Sequence, residues 1–305
     1  MKKTILISLL FGLSVTTFNG YAGDADKAAV VAANRAIGSA TNALSGSNLP
    51  EWLKRTDIDI GIQENLRESF TIETIQPLFM DDVNTAFFQG RLTHDGHEED
   101  ETINLGLGYR YLTPNKTWLL GVNGWYDHTF DLNHKRVGLG LEAIGEYLTF
   151  RSNYYDAVSG WKTVSLVDGV TTEEKALDGY DIELETPVPY LPWARLSGKA
   201  YKWEAINVDD VEGFTVALRM NPTGNTELTL GVTEDDTKNE VFLNLTWYFG
   251  RPAGTEYTAA NGISSQVAVK RDLTKHRLDK VRRHHNVVVE RKTSGGSGLS
   301  VVRGT

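Results

Sequence analysis

Asp127 and His128 are the adjacent residues that could most readily catalyse a reaction, because a carboxylate beside an imidazole can activate water for hydrolysis. A second acidic pair, Asp209-Asp210, falls in a predicted loop. Lipase chemistry would need a serine and a histidine at matched positions, and no such pairing is legible. A hydrolase therefore stays open as one alternative, which a loss of activity on replacing Asp127 or His128 would support.

The stretch 94–100 is rich in residue types that can bind a metal ion. Its histidines and acids could hold a hard cation: His94, Asp95, His97, Glu98, Glu99 and Asp100. A run of acids in a loop is usually solvated and kept apart by charge repulsion, so no metal is expected. Four glycines recur at period two with no following helix, so they suit close packing rather than nucleotide binding: Gly106, Gly108, Gly138 and Gly140.

Charge is distributed unevenly along the chain. Residues 251–305 hold eleven Lys or Arg against four Asp or Glu, whereas residues 23–250 hold eighteen against thirty-six. The net charge of −9 argues against nucleic acid as a partner. The absence of cysteine excludes disulfides and cysteine-ligated metals, which leaves hydrogen-bonded sheet as the expected source of rigidity. An acidic body with a basic C-terminal segment is the main compositional feature.

The N-terminus has the features of a Sec signal peptide. Lys2-Lys3 precede a short apolar core, and small residues around Ala22 offer a cleavage site after that residue. The apolar core is too short to span a bilayer as a helix, so the mature chain is expected to be exported. The Ala-rich stretch 24–46 then predicts a short periplasmic helix.

From residue 57 to residue 250, apolar and polar residues alternate at period two, which predicts strands with two different faces. About twelve runs are counted: 57–64, 69–79, 85–94, 101–112, 116–129, 135–145, 147–158, 178–188, 194–204, 212–221, 226–234 and 239–249. Several have the length that a tilted membrane strand requires, and an even number is typical of bacterial outer-membrane barrels. The pattern predicts an all-β fold, a twelve-stranded antiparallel transmembrane β-barrel.

The connections favour this barrel over an exported soluble β-sandwich, which is the alternative fold. Connections after even-numbered runs are short, whereas those after odd-numbered runs include the long stretch 159–177. Aromatic residues such as Tyr126 and Trp247 lie near the ends of runs, as girdles would. A sandwich explains the alternation, but not the signal peptide, the turn asymmetry and the aromatic last strand together.

Several motifs occur together along the chain. They are Asn-Leu-Gly-Leu-Gly-Tyr-Arg-Tyr at 104–111, Leu-Gly-Val-Asn-Gly-Trp-Tyr-Asp-His at 120–128, Arg-Val-Gly-Leu-Gly-Leu-Glu at 136–142, Asn-Tyr-Tyr at 153–155 with Ser-Gly-Trp at 159–161, Gly-Tyr-Asp at 179–181, and the basic stretch 277–292. Together they resemble the β-domain of the intimin/invasin family of inverse autotransporters, over about residues 50–292. Asp127-His128 lies within a motif that the family ties to no catalysis.

This resemblance implies a periplasmic N-terminus and a segment that turns back after the last strand to thread the pore as a helix and extended linker. In the family, that segment delivers immunoglobulin-like and lectin-like adhesion domains, while the barrel exports and anchors them. The sequence departs from the pattern in lacking a LysM module and in having His284-His285 where Asn is usual. Only the Gly/Ser-rich stretch 293–305 follows the linker, so no passenger domain is expected.

The expected segments are a signal peptide (1–22), a periplasmic helical segment (23–55), a barrel (56–250), a pore-threading linker (251–292) and a short tail (293–305). Opposite charges attract more strongly inside a partly dewatered pore than at a surface. We therefore predict that basic linker residues meet lumen-facing acids and plug the pore; the alternative is a solvated tail in the periplasm. The basic residues are Lys270, Arg271, Arg277, Arg282 and Arg283. The acids, placed by alternation, are Asp57, Asp59, Glu142, Asp181, Glu183, Glu185 and Glu227.

The predicted function is a non-catalytic translocator and anchor in the outer membrane, associated with surface display, with cell adhesion left open. Its expected partners are outer-membrane lipid, Sec export and the barrel-assembly machinery, with a host or cell-surface ligand left open and no cofactor. The alternative is a small porin, or an adhesin that binds through the loop 159–177. A plugged pore and an exposed C-terminus would discriminate between these functions.

Overall fold

The structure, a computed structural model, describes residues 49–63, 67–95, 100–167, 170–237, 239–294 and 299–303. The signal peptide and the predicted helix at 24–46 lie outside these residues. Helix α1 (Glu51–Lys54) is a single turn before the first strand. None of the described helices is long and apolar enough to cross a bilayer.

Sixteen strands follow α1 within the described residues. They are β1 (Thr56–Gln63), β2 (Arg67–Met80), β3 (Asn84–Asp95), β4 (Asp100–Leu112), β5 (Trp118–Thr129), β6 (His134–Gly145), β7 (Thr149–Ala157), β8 (Lys162–Val167), β9 (Val170–Ala176), β10 (Asp178–Val188), β11 (Leu191–Glu204), β12 (Val211–Thr223), β13 (Thr226–Asp235), β14 (Asn239–Tyr248), β15 (Val288–Thr293) and β16 (Leu299–Arg303). Twelve of them form one closed antiparallel barrel. Strand β10 pairs with β7, and β1 closes the barrel on β14.

Each barrel strand separates a lipid-facing side from a lumen-facing side. Leu139 and Leu107 are 65% and 61% exposed, whereas Asn104 and Arg110 on the opposite face are fully buried. Closure leaves no unpaired edge, which the hydrocarbon interior of a bilayer demands. The predicted twelve-stranded antiparallel barrel is confirmed, and the observed strands match the predicted runs to within three residues at either end.

A second sheet of four strands lies beside one end of the barrel, in the order β16-β15-β9-β8. Strands β8 and β9 form a hairpin within the long connection between β7 and β10, and β15 begins in the last residues of the linker. The twelve predicted runs include none of these strands. Strand β9 reads Val-Thr-Thr-Glu-Glu-Lys-Ala, which lacks the clear apolar alternation of the barrel strands. Strand β15 also runs across the expected boundary between the linker and the tail at residue 292.

Residues 251–287, all of which the structure describes, contain one 3₁₀ helix (Ala259–Asn261) and are otherwise turns and extended chain. The resemblance implied a helix ahead of the extended linker, and in the structure this helical part is a single turn. Pro252, Gly254 and Gly262 disfavour a longer helix here. Gly262 has a positive φ of 65°, which ends the turn.

The two ends of the barrel differ in their connections. Tight turns at one end span residues 81–83, 113–117, 146–148, 189–190 and 224–225. The opposite end carries the connection 205–210 and the second sheet. Short turns on the periplasmic side with longer outer loops are the usual arrangement of such barrels, so the second sheet is assigned to the outer side.

The lipid-facing belt predicts that the effect of an added charge on stability depends strongly on its position. Leu139→Arg places a guanidinium near the middle of β6, where burying a charge in the bilayer costs roughly 2–4 kcal/mol. We expect the free energy of unfolding in lipid vesicles to fall by about that amount, as measured by denaturant titration. Val164→Arg on β8, outside the barrel, is the matched control; equal losses in both variants would contradict the assignment of the belt.

Candidate functional site in the barrel lumen

The chain that follows β14 turns back into the barrel and runs through its lumen to the other end. At the tight-turn end, the Tyr190 N–H donates to Val267 O at 2.9 Å. Leu273 is buried there in an apolar cluster of the barrel wall. At the outer end, Val288 is buried in another apolar cluster with aromatic wall residues. The linker is therefore held at both ends of the lumen.

Within the lumen, wall side chains bond the linker backbone. The Arg110 guanidinium donates to Arg277 O at 3.1 Å and to Asp279 O at 2.5 Å. Gln89 Oε1 accepts from the Val281 N–H at 2.9 Å. The pattern continues outward: Asn153 donates to Arg282 O, the His284 N–H donates to the Tyr155 hydroxyl oxygen, Arg136 donates to His284 O, and Asn104 donates to His285 O. Such bonds satisfy polar groups that an extended chain inside a lumen would otherwise leave unpaired.

The seven predicted lumen acids lie on the inner face of the wall, and each has a hydrogen-bonding partner. Lys280 of the linker bonds Asp57 and lies 3.6 Å from Glu73. The Arg110 guanidinium donates to both oxygens of Glu142, at 2.9 and 3.2 Å. The others pair as follows: Asp59 with Thr246, Asp181 with Asn153 and Tyr155, Glu183 with Arg151, Glu185 with Arg195, and Glu227 with Arg282.

Two of the five predicted plug residues meet acids from the predicted set. Arg282 donates to Glu227 at 3.0 Å. Arg271 lies 3.8 Å from Glu185, and it donates at closer range to the backbone of Gly145. These contacts join the linker to the wall at two levels of the lumen.

The other three predicted plug residues do not meet those acids. Arg283 is buried and binds an acid outside the predicted set, Asp127. Arg277 donates to the Thr85 hydroxyl at 2.8 Å, to the Asp82 carbonyl in the turn before β3 and to the Asn84 carbonyl at the start of β3. Lys270 keeps 59% of its side chain exposed and pairs with Glu146 in a tight turn. Its place at the mouth explains this, because the linker enters the lumen only after it.

Asp127 is the centre of a fully buried cluster. Its carboxylate accepts from Arg283 at 2.7 and 2.8 Å, from Arg136 at 2.8 Å and from Asn104 at 2.9 Å. His128 follows it on β5, so its side chain points to the opposite face of the barrel, near Phe130. The two side chains therefore cannot act together on one water, as the hydrolase alternative requires.

Sequence reasoning missed the arginines that the wall itself supplies. Arg151 donates to Glu183 at 2.6 Å, and both Arg195 and Arg219 pair with Glu185. These arginines occupy lumen-facing positions of the same alternation that placed the acids, so the signal was present. Much of the acidic charge is neutralised within the wall, and the linker adds only a few further cations.

Among the described residues, no group of His, Asp and Glu side chains is arranged to hold a metal ion. Part of the loop considered for a cation, 96–99, lies outside them.

A Cβ on Gly108 would lie 2.1 Å from the Phe87 ring, and one on Gly138 would lie 2.9 Å from Arg283. These glycines make room for a wall ring and, at Gly138, for the linker.

The Asp127 cluster predicts that a buried cation of the linker contributes more to the free energy of unfolding than an exposed one. Arg283→Met leaves a buried carboxylate with one arginine fewer, so the free energy of unfolding should fall by about 3 kcal/mol in denaturant titrations. Lys270→Met, the matched control, should leave it nearly unchanged because an exposed pair contributes little. The double variant Asp127→Asn/Arg283→Met should lose less free energy of unfolding than the sum of the losses in the two single variants. Equal effects of Arg283→Met and Lys270→Met would count against the cluster.

Sequence comparison identifies relatives along most of the chain. The family model described as the inverse autotransporter β-domain matches residues 14–285. The inverse autotransporter adhesin YeeJ of Escherichia coli (strain K12) is 30% identical over 85% of this chain and 11% of its own length. Invasin of Yersinia enterocolitica is 27% identical over 83% of this chain and 31% of its own length. The chain thus spans only a minor part of these two relatives.

Structural comparison agrees with the fold. A solved structure from work on the in-meso crystallization of membrane proteins superposes with a TM-score of 0.61 at 20% identity, over 78% of this chain and 99% of that one. At that identity the likeness shows the fold alone. The closed barrel and the family match together place the protein in the outer membrane. The chain belongs to the inverse autotransporter β-domain family.

Proposed function

We propose that the barrel anchors the chain in the outer membrane and carries the segment after β14 to the cell surface, without catalysis. The observation that carries this proposal is the continuous path of the linker. It is bound at the tight-turn end, through the lumen and at the outer end, where β15 joins the second sheet. Because the relatives are named as an adhesin and an invasin, the displayed part is proposed to serve adhesion.

The proposed partners follow from this route. Outer-membrane lipid surrounds the apolar belt, and the N-terminal signal features support Sec export. Insertion of a closed barrel would use the barrel-assembly machinery. A ligand on another cell surface would be met by the chain that emerges beyond β15 or by the outer loops.

The filled lumen disfavours an open porin, which was the alternative drawn from the sequence. The polar wall that would line an aqueous channel instead bonds the linker, as the contacts of Arg110 and Gln89 illustrate. The long connection 159–177, proposed as an adhesive loop in that alternative, uses one strand edge to pair with β15.

Transport across the membrane can be tested with single cysteines, since the chain has none of its own. Ser300→Cys in β16 should react with a membrane-impermeant maleimide on intact cells, because β16 lies beyond the outer end of the lumen. Ala260→Cys, in the linker before it enters the lumen, is the matched control and should react only after the outer membrane is permeabilised. Labelling of Ser300→Cys only after permeabilisation would refute the proposed route.

A further inference from the structure

The hairpin β8–β9 offers one strand edge to the chain that leaves the lumen. Strand β15 pairs antiparallel with β9, with Val289 opposite Ala176 and Lys292 opposite Glu173. Hydrogen bonds extend the ladder at both ends, from the Leu177 N–H to Val288 O and from the Ser294 N–H to Thr171 O. Strand addition of this kind gives affinity through the backbone and selectivity through the side chains.

Glu290 fixes the position of β15 from the side of the barrel. Its side chain is fully buried, although it stands outside the lumen. The carboxylate accepts from the Ile206 N–H at 2.6 Å, the Asn207 N–H at 3.1 Å and Asn207 Nδ2 at 2.7 Å. Backbone N–H groups bound to a carboxylate make strong, charge-assisted hydrogen bonds. A shift of β15 by two residues would put Val288 or Lys292 at this site, and neither side chain can accept these bonds.

The two residues after Glu290 carry charges that match the hairpin. The Arg291 guanidinium donates to Glu174 at 2.5 Å. Lys292 lies 3.2 Å from Glu173 and 3.9 Å from the centre of the Trp161 ring, within cation–π range. Burial acts to raise the pKa of the Glu174 carboxyl, but His134 and Arg291 outweigh it and hold that pKa below its usual value. Glu174 is therefore ionised at neutral pH and available to Arg291.

We propose that the edge of β9, Trp161 and the N–H groups of Ile206 and Asn207 form a strand-acceptor site for the segment Val-Val-Glu-Arg-Lys at 288–292. This site stops the threaded chain at one register on the outer face and holds it there. It selects an apolar pair, then one acid, then two cations, in an extended conformation. The inference rests on the proposed function, because the segment must first pass through the lumen to reach the site.

Protection of Val289 reports whether the site is occupied. Val289 is 8% exposed and packs with Ala176 and Val287. In Val289→Cys, labelling by an impermeant maleimide on intact cells should be at least about tenfold slower than for Ser300→Cys, since local opening must precede reaction. Adding Glu290→Ala should speed the labelling of Val289→Cys by about tenfold, because it removes the acceptor of the three N–H donors. Thr163→Ala on β8, which has no pairing with β15, is the control and should leave the rate unchanged.

A charge exchange tests the selectivity. Glu174→Arg should speed the labelling of Val289→Cys, and adding Arg291→Glu should restore slow labelling by re-forming the pair in the opposite sense.

Unchanged labelling of Val289→Cys in both Glu290→Ala and Glu174→Arg, with Ser300→Cys still reactive on intact cells, would overturn the acceptor site and leave the proposed transport standing. Failure of the exchange to restore protection would overturn its selectivity. Failure of Ser300→Cys to react on intact cells would instead overturn the transport on which the site depends.

Discussion

An extended chain inside a barrel has no sheet or helix of its own to pair its N–H and C=O groups. The polar side chains of the lumen wall must therefore supply their hydrogen-bonding partners. Unpaired backbone groups away from water cost about as much as a lost hydrogen bond each. The wall meets the need with side chains: Arg110 bonds two successive parts of the linker, and Gln89 and Tyr155 accept from its N–H groups. The lumen-facing positions are therefore polar for a reason separate from contact with water.

Wall arginines that donate to the linker carbonyls create a second requirement, because a guanidinium buried in the lumen needs a carboxylate as its counter-ion. Arg110 is paired with Glu142, and Arg136 with Asp127. Asp127 also binds Arg283, so a wall cation and a linker cation share one anion. The basic linker thus offsets part of the acidic surplus of the barrel where the two meet. A change at one member is expected to affect the other members of its cluster, since buried charges are strongly coupled.

Alternation along the strands predicts the barrel and the face of each acid, because it depends on a period of two and on nothing more distant. It does not predict which residues become neighbours across strands, because that depends on register and on the path of the linker. Lys270 was expected in the lumen and lies at the mouth, whereas Lys280 was passed over and binds Asp57. Strand β9 was missed because its Thr-Thr-Glu-Glu-Lys sequence carries no clear period. Its partner β15 lies more than one hundred residues away in the sequence, beyond the reach of local patterns.

The linker is held in two physically different ways along its route. In the lumen, many contacts go to its backbone, and such contacts are available to almost any residue in the same conformation, proline excepted at the N–H groups. Outside, Glu290, Arg291 and Lys292 bind through their side chains, so that segment is specified by its sequence. The lumen thus combines backbone contacts that tolerate many sequences with side-chain pairs such as Arg283 with Asp127, and the outer site adds a segment that is specified by its side chains. The division also accounts for the buried carboxylate of Glu290 outside the lumen, because a shift in register would leave the N–H donors of Ile206 and Asn207 without this acceptor.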